Sequence, residues 1–309
     1  MPVDYLRNHP QFADLIRIVA AEKGIDPALV EKDYWIMQSL YGLQQLGQTF
    51  QLKGGTSLSK GHKIIDRFSE DIDILIEPPE GMEVKIGRNQ DKPPHIESRR
   101  AFYDWLANEK IKIDGITQVE RDTAFDDEKL RSGGIRLRYP TKVPALAGLR
   151  EGVLLEAGFD TVAPNEPKDI SSWLYDHAVG KGVAIVDNRA KGVPCYDPRY
   201  TFVEKLQTIS TKYRKQQEIG ESPVEFMRHY YDVYCLLDRP EVQAFVGTDE
   251  YKAHKARRFR QGDNQVIAQN EAFLLSDSTT HESDSTTHEL YAHAFADSTA
   301  PLLRQQADV

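Results

Sequence analysis

The chain of 309 residues has few cysteines, only Cys195 and Cys235, which are too few for a disulfide framework. Both have apolar or aromatic neighbours, so we expect buried thiols. No run approaches the ~20 apolar residues of a membrane span, and the N-terminal MPVDYLRNHPQFADLIRIVAA lacks the pattern of a secretory signal. There is no cysteine–histidine cluster typical of zinc and no G-x-G-x-x-G turn typical of a dehydrogenase. These absences favour a cytoplasmic protein.

The net charge is −9, with 40% hydrophobic and 28% charged residues, as in an ordinary soluble protein. Overall acidity disfavours non-specific coating of DNA, which depends on lysine and arginine contacts to phosphate. RNA binding at a local basic patch is still open. Residues 212–215 (KYRK) and 252–260 (KAHKARRFR) are two such patches, and each could equally be the solvated face of a helix.

Hydrophobic periodicity predicts a mixed α/β first part and a mainly helical second part. Helices are expected over residues 4–22, 26–46, 56–65 and 97–110, and then near 170–180, 199–217, 223–238 and 248–260. Strands are expected over residues 50–53, 71–77, 115–123, 134–139 and 153–159, and a polar loop over residues 80–96. The change of pattern near residues 160–170 predicts two domains, residues 1–165 and 166–309.

A tandem repeat lies near the C-terminal end, where residues 276–282 and 283–289 both read SDSTTHE. The repeat has no apolar positions, so it cannot be a coiled-coil heptad, and it predicts an exposed, flexible connection. His281 and His288 have acids nearby, but a solvated linker is the simpler interpretation. Residues 290–303 are expected to form a short helix.

The most informative segment is residues 52–76, LKGGTSLSKGHKIIDRFSEDIDILI. In a strand, residues two apart share a face, so Asp71 and Asp73 project side by side while the alternating isoleucines face a core. Two carboxylates this close repel each other unless a cation lies between them. Paired hard oxygen ligands suit Mg²⁺, which usually binds one or two carboxylates and the phosphates of a substrate.

Two further features fit the same chemistry. Gly54 and Gly55 let the backbone approach a phosphate, and the helix start that follows offers free N–H groups to it. Glu156 is an acid inside the apolar run VLLEAGF, and a buried strand carboxylate needs a partner or a metal. If this strand lies beside residues 71–77, Glu156 completes a three-carboxylate cluster; otherwise it is an edge-strand acid that faces water.

The diglycine turn, the Asp71/Asp73 pair and Glu156 together resemble the nucleotidyltransferase fold of DNA polymerase β. The interval from Gly55 to Asp71 is longer than is usual there, and GGTSLSK followed by RFSEDIDI closely resembles the nucleotidyl transferase AbiEii/AbiGii toxin family. Residues 201–208 (TFVEKLQT) and 228–234 (RHYYDVY) resemble that family's downstream motifs. The resemblance covers about residues 30–240.

The resemblance implies an α+β fold: a polymerase β-like mixed sheet flanked by helices, followed by a mostly helical domain that completes the active site. It implies that Lys205 contacts phosphate and that Arg228 and Asp232 belong to the site, although these two could also form an ordinary i,i+4 ion pair. The candidate nucleotide contacts in the first block are Gly54, Gly55, Thr56, Ser57, Lys60, Arg67 and Ser69. As alternatives, Ser57 could simply cap a helix, Arg67 could pair with Asp66 or Glu70, and Lys60 could be solvated.

The function implied is transfer of NMP from an NTP to RNA, tRNA in particular, by the toxin of a toxin–antitoxin or phage-defence pair. One or two Mg²⁺ ions would be held by Asp71, Asp73 and Glu156, and the antitoxin would be encoded by a neighbouring gene. Two other functions are open. The protein could be a kinase or self-modifying phosphotransferase on the same fold, or a nucleotide-sensing regulator without catalysis.

Overall fold

The computed structural model describes residues 3–87, 89–160, 163–220 and 226–274. The chain divides into two compact units, Met1–Tyr196 and Asp197–Val309. The tandem repeat at 276–289, with its two histidines, and the helix expected at 290–303 lie outside the described residues. No helix within the described ranges is long and apolar enough to cross a bilayer.

The first unit is built on a seven-stranded mixed sheet with the order β3-β4-β5-β2-β1-β7-β6. The strands are β1 (Phe50–Lys53), β2 (Asp71–Ile76), β3 (Gln118–Arg121), β4 (Ser132–Arg138), β5 (Val153–Gly158), β6 (Asn165–Ile170) and β7 (Ala190–Tyr196). Strand β2 is antiparallel to β1 and parallel to β5, and β1 is parallel to β7. The mixed sheet and its helices confirm the predicted α+β class.

The helices of the first unit are α1 (Phe12–Lys23), α2 (Pro27–Gln45), α3 (Gly54–Thr56), α4 (Pro93–Trp105) and α5 (Trp173–Gly180). Helix α3 continues as a π-helical segment, Ser57–Gly61, and α4 continues as another, Leu106–Lys110. Helix α2 starts as the sequence predicts, because the Asp26 carboxylate accepts the Ala28 N–H at 2.8 Å and Pro27 takes the first helical position.

The core of the first unit lies against one face of the sheet. Ile72, Ile74 and Ile76 of β2 are buried, as the DIDILI alternation predicts, and they join a cluster that includes Tyr34 and Leu40 of α2. The cluster fixes which way β2 faces, because a one-residue slip would place three isoleucines in water.

The second unit is helical in its described part. Its α-helices are α6 (Pro198–Ile219), α7 (Met227–Leu237), α8 (Pro240–Phe245) and α9 (Asp249–Arg258). Short 3₁₀ turns follow at Ile267–Gln269 and Glu271–Phe273. Helix α6 has the predicted start, with the Asp197 carboxylate accepting the Arg199 N–H at 2.8 Å.

The structure differs from the sequence prediction between residues 165 and 196. Strands β6 and β7 were not predicted, and they extend the sheet of the first unit. The chain therefore passes from one compact unit to the other between Tyr196 and Asp197, whereas the pattern change predicts a boundary after residue 165. Edge strand β6 has the sequence NEPKDI. Its polar residues and proline do not give the alternation of apolar and polar residues that predicts a strand.

Candidate active site

Asp71 and Asp73 lie on the face of β2 opposite the isoleucines and are partly exposed. The register pairs Asp73 with Lys53 of β1 on one side and with Glu156 of β5 on the other. Side chains of directly paired residues share a face of the sheet, and neighbouring strands lie about 4.8 Å apart. The predicted adjacency of the two strands is therefore present, and three carboxylates occupy neighbouring positions on one face.

The environment of Asp71 is strongly electrostatic. Burial raises its pKa to about 6, with further raising by Glu70 and Asp73 and opposing effects of Arg150 and Lys32. The Arg150 guanidinium lies 3.1 Å from an Asp71 carboxylate oxygen and 3.4 Å from Glu70. Crowded carboxylates that resist ionisation bind cations well, since a cation removes the repulsion that raises the pKa.

The diglycine turn packs directly on these acids. Gly54 has φ +69°, and a Cβ there would overlap the Asp73 carboxylate. A Cβ at Gly55 would lie 2.5 Å from the Ser69 hydroxyl and 3.0 Å from the Arg67 guanidinium. Gly54 therefore needs glycine, a side chain at Gly55 would displace Ser69 and Arg67, and the turn lies against Asp73, Arg67 and Ser69.

The Asp71/Asp73 pair fits a divalent ion of the Mg²⁺ type, which takes few protein carboxylates and completes its shell with phosphate and water. Within residues 3–87, 89–160, 163–220 and 226–274, no three or more His, Cys, Asp or Glu side chains are grouped to hold a metal. Glu156 is paired with Asp73 across the two strands, but the side chains of the described residues do not form a three-carboxylate metal site.

Three predicted phosphate contacts are turned into the protein. The Thr56 hydroxyl donates to the Asp71 carbonyl at 2.5 Å. Ser57 is fully buried, against the Cys195 thiol, whose pKa burial raises to about 11. Lys60 pairs with Asp33 at 2.5 Å, so it is not the solvated residue of the alternative prediction. These side chains hold the turn in place through contacts within the protein, and those contacts form without a bound phosphate.

A cavity of about 340 Å³ lies beside the turn. Lys60, Arg67 and Ser69 line it together with Phe68 and Trp173. Asp71 and Asp73 are outside the set of described residues that line it. Of the predicted nucleotide contacts, Gly54 and Gly55 thus lie at the acids, Lys60, Arg67 and Ser69 line this cavity, and Thr56 and Ser57 point into the protein.

Three consecutive charged residues of α2, Glu31, Lys32 and Asp33, are buried, and sequence reasoning missed all three. Glu31 accepts the backbone N–H of Lys142 at 2.8 Å. Lys32 donates at 2.7 Å both to Glu70 and to the Arg150 carbonyl.

Asp33 pairs with Lys60 and accepts the Trp173 N–H at 2.8 Å. Each residue of the triplet thus fixes a different segment around the site. The available signal was the run EKD inside an otherwise apolar helix, because charges at such positions need partners.

In the second unit, Lys205 of α6 forms an ion pair with Asp232 of α7, with 2.8 Å between nitrogen and oxygen. Asp232 is fully buried, and the Lys205 side chain is 12% exposed. Asp232 therefore forms an ion pair with Lys205 of the neighbouring helix. Arg228 lies one helical turn before Asp232 on α7.

The basic patches are partly neutralised by acids within the second unit. Arg214 contacts Asp263 at 3.0 Å and Glu218 at 2.9 Å, and Arg258 contacts Glu204 at 3.3 Å. The cysteine prediction is confirmed for Cys195, which is buried, whereas Cys235 is half-buried.

Comparison with known proteins decides the family. The profile described as nucleotidyl transferase AbiEii toxin, type IV TA system, matches residues 35–307. This chain belongs to the AbiEii nucleotidyl transferase toxin family. The match confirms the family predicted from residues 52–76 and from the blocks at 201–208 and 228–234.

The comparisons with curated proteins and with solved structures are less informative than the family profile. A search of curated proteins gives no significant match to this AbiEii family chain. Among solved structures, the crystal structure of an antigenic nucleotidyltransferase-like protein from Paracoccidioides brasiliensis is similar, at 13% identity and a TM-score of 0.39. The similarity covers 74% of this chain and 87% of that one.

Proposed function

We propose that this AbiEii family protein transfers a nucleoside monophosphate from an NTP to a hydroxyl of an RNA, with tRNA as the first acceptor to test. The observation that carries the proposal is the register that places Asp71, Asp73 and Glu156 on one sheet face, with the diglycine turn packed against Asp73. Family membership supports nucleotidyl transfer over other uses of a carboxylate pair.

Each site residue has its own role in binding or catalysis. The backbone of Gly54 and Gly55 and the Arg67 guanidinium bind the triphosphate. Asp71 and Asp73 would hold a divalent ion, which supplies charge neutralisation of the phosphates when bound. Glu156, the neighbour of Asp73 in register, accepts the proton of the attacking hydroxyl.

In the reaction, the acceptor oxygen forms a bond to the α-phosphorus, and the bond from that phosphorus to the β-phosphate oxygen breaks. Pyrophosphate leaves and carries the electron pair of the broken bond. Lys205 offsets the charge on the leaving group, and its buried partner Asp232 keeps the ammonium in place. Arg228 is a further candidate contact to the nucleotide.

The family description supports a toxin role. We propose that expression of this protein alone arrests bacterial growth and that an antitoxin from a neighbouring gene relieves the arrest. The place of action would be the cytoplasm, where NTPs and tRNA are present. Growth after induction, with wild-type protein and D73A and with or without the neighbouring gene, measures this directly.

The enzymatic proposal is tested with labelled NTPs, Mg²⁺ and total RNA. We expect the α-phosphate label to enter a small RNA band, with no transfer by D73A and unchanged transfer by E77Q. Glu77 is a matched control because it is an exposed acid directly after β2. Entry of the γ-phosphate label into protein would instead favour a kinase, and NTP binding without any transfer would favour a sensor.

A further inference from the structure

The cavity beside the diglycine turn is large enough for a small ligand. Its volume is about 340 Å³, and pockets for small molecules begin at about 300 Å³. One wall is the loop of residues 65–69, and the facing wall is the start of α5 with Trp173. All of it lies within the first unit, so its shape is set by the sheet and the helices packed on it.

Trp173 gives the cavity a flat aromatic surface. The indole is half-buried, and its ring centre lies 6.1 Å from that of Phe68. The ammonium groups of Lys23 and Lys60 lie 5.0 Å and 5.9 Å from the indole centre. An indole in a cavity of polar residues offers a stacking surface of the kind on which nucleic-acid bases bind.

The position of Trp173 is fixed from beneath. Its backbone N–H donates to the buried Asp33 carboxylate, which also pairs with Lys60, and Lys60 in turn donates to the Ser171 carbonyl at 2.9 Å. The aromatic wall is therefore tied to the same buried ion pair that anchors the segment after the diglycine turn. Such anchoring holds a binding surface in place before the ligand arrives.

The cavity shares two side chains with the place proposed for the phosphates. Arg67 and Ser69 line the cavity. The same two side chains also pack against Gly55, within 3.0 Å of where a Cβ on that residue would lie. Phosphates bound at the Gly54–Gly55 turn and Arg67 would therefore lie next to side chains that line the cavity.

We propose that this cavity binds the base and ribose of the NTP, with the base stacked on Trp173. This inference rests on the proposed function and assigns its nucleoside subsite. Phosphate recognition and base recognition are then carried by separate residues, so they can be weakened separately.

The first test compares NTP with inorganic tripolyphosphate, which has the phosphates but no nucleoside. In W173L we expect the KM for NTP to rise on the order of tenfold, because loss of one base–aromatic stack has about this effect. The inhibition constant of tripolyphosphate should stay within about twofold of the wild-type value. W105L is the matched control, since Trp105 ends α4 and does not line the cavity.

A second test needs no turnover. A non-hydrolysable NTP should quench tryptophan emission in the wild-type protein and in W105F, but not in W173F, while calorimetry shows that W173F still binds the nucleotide. Equal quenching in W173F, an unchanged KM in W173L, or equal weakening of NTP and tripolyphosphate would overturn the subsite. NTP binding and transfer by the wild-type protein would in those cases leave the proposed function standing, whereas no binding at all would overturn both.

Discussion

Gly54 is the residue at which the site tolerates a side chain least. Its φ of +69° is in the left-handed region, and a Cβ would also overlap the Asp73 carboxylate. Gly47 has nearly the same φ, +65°, but a Cβ there would meet nothing within 4 Å. The two glycines therefore separate the cost of backbone strain from the cost of displacing Asp73.

We expect G47A and G54A both to lose about 1–2 kcal/mol of unfolding free energy in urea, because both force alanine into the left-handed region. Only G54A should lose activity, by about 100-fold, since a displacement of about 1 Å at a catalytic group can have that effect. Label transfer measures the activity. Equal activity of the two variants would show that Asp73 is not held against the turn.

Glu31 is the buried acid with the clearest consequence for stability. Burial raises its pKa to about 7, against 4.5 in a free side chain, while the N–H groups of Lys142 and Val143 oppose the rise. Because the folded state holds the proton more tightly, its stabilising contribution is complete below pH 4.5 and is lost as the pH rises through about 7.

The expected result is that E31Q flattens the pH dependence of unfolding free energy between pH 5 and pH 8. The group contributes up to about 3 kcal/mol across that window. Urea titrations at several pH values on wild-type protein and E31Q measure the difference. Parallel curves for the two proteins would mean that Glu31 does not titrate in this range.

At the scale of elements, the segment that leads into β2 is held in place by a buried charged residue of α2. Lys32 is fully buried and donates at 2.7 Å to Glu70, which is also contacted by Arg150. Glu70 directly precedes Asp71, so this network sets how β2 enters the site. The exposed pair Lys85–Glu83, with side chains 42% and 85% exposed, is a control of the same type in the same unit.

Replacing Lys32 with methionine should cost about 1.5–3 kcal/mol, because Glu70 keeps its contact with Arg150 but loses a buried charge-assisted hydrogen bond. K85M should cost less than about 1 kcal/mol, as is usual for a surface pair. The double variant K32M/E70Q should recover part of the loss, with a coupling of roughly 1–3 kcal/mol in a double-mutant cycle. Strictly additive effects would rule out the pair as a stabilising unit.

The same scale shows what could be predicted from the sequence. Strand β2 and its neighbour β1 were predicted closely, because the DIDILI alternation is a local signal. Strands β6 and β7 were missed because their pairing is long-range and their sequences contain proline, glycine and charge. The diglycine turn is a local sequence signal, whereas the inward orientation of Lys60 depends on Asp33, a partner distant in the sequence.

At the scale of the whole molecule, the chain places one set of proposed residues in each compact unit. The acids and the diglycine turn belong to Met1–Tyr196, and Lys205 and Asp232 belong to Asp197–Val309. The compact units divide after Tyr196, and the strands of residues 165–196 look irregular in sequence. Whether the second unit serves the reaction is tested through its buried ion pair.

In K205M the fully buried Asp232 loses its ion pair with Lys205, so we expect about 3 kcal/mol of destabilisation and, if the proposed role of Lys205 is right, no label transfer. The double variant K205M/D232N should recover much of the stability without recovering activity, because the phosphate contact proposed for the Lys205 ammonium is still missing. Chemical denaturation and label transfer are measured on the same preparations. Activity returning with stability would restrict this pair to a structural role.

The carboxylates of Asp71 and Asp73 are tested most directly by electron paramagnetic resonance titration of Mn²⁺ into protein held with a non-hydrolysable NTP. Loss of even an outer-shell partner typically lowers metal affinity about 10–100-fold, so loss of both ligands in D71N/D73N should lower it at least as much. E77Q should match the wild-type protein. Equal Mn²⁺ affinity in wild-type protein and D71N/D73N would contradict metal-dependent nucleotidyl transfer at this site.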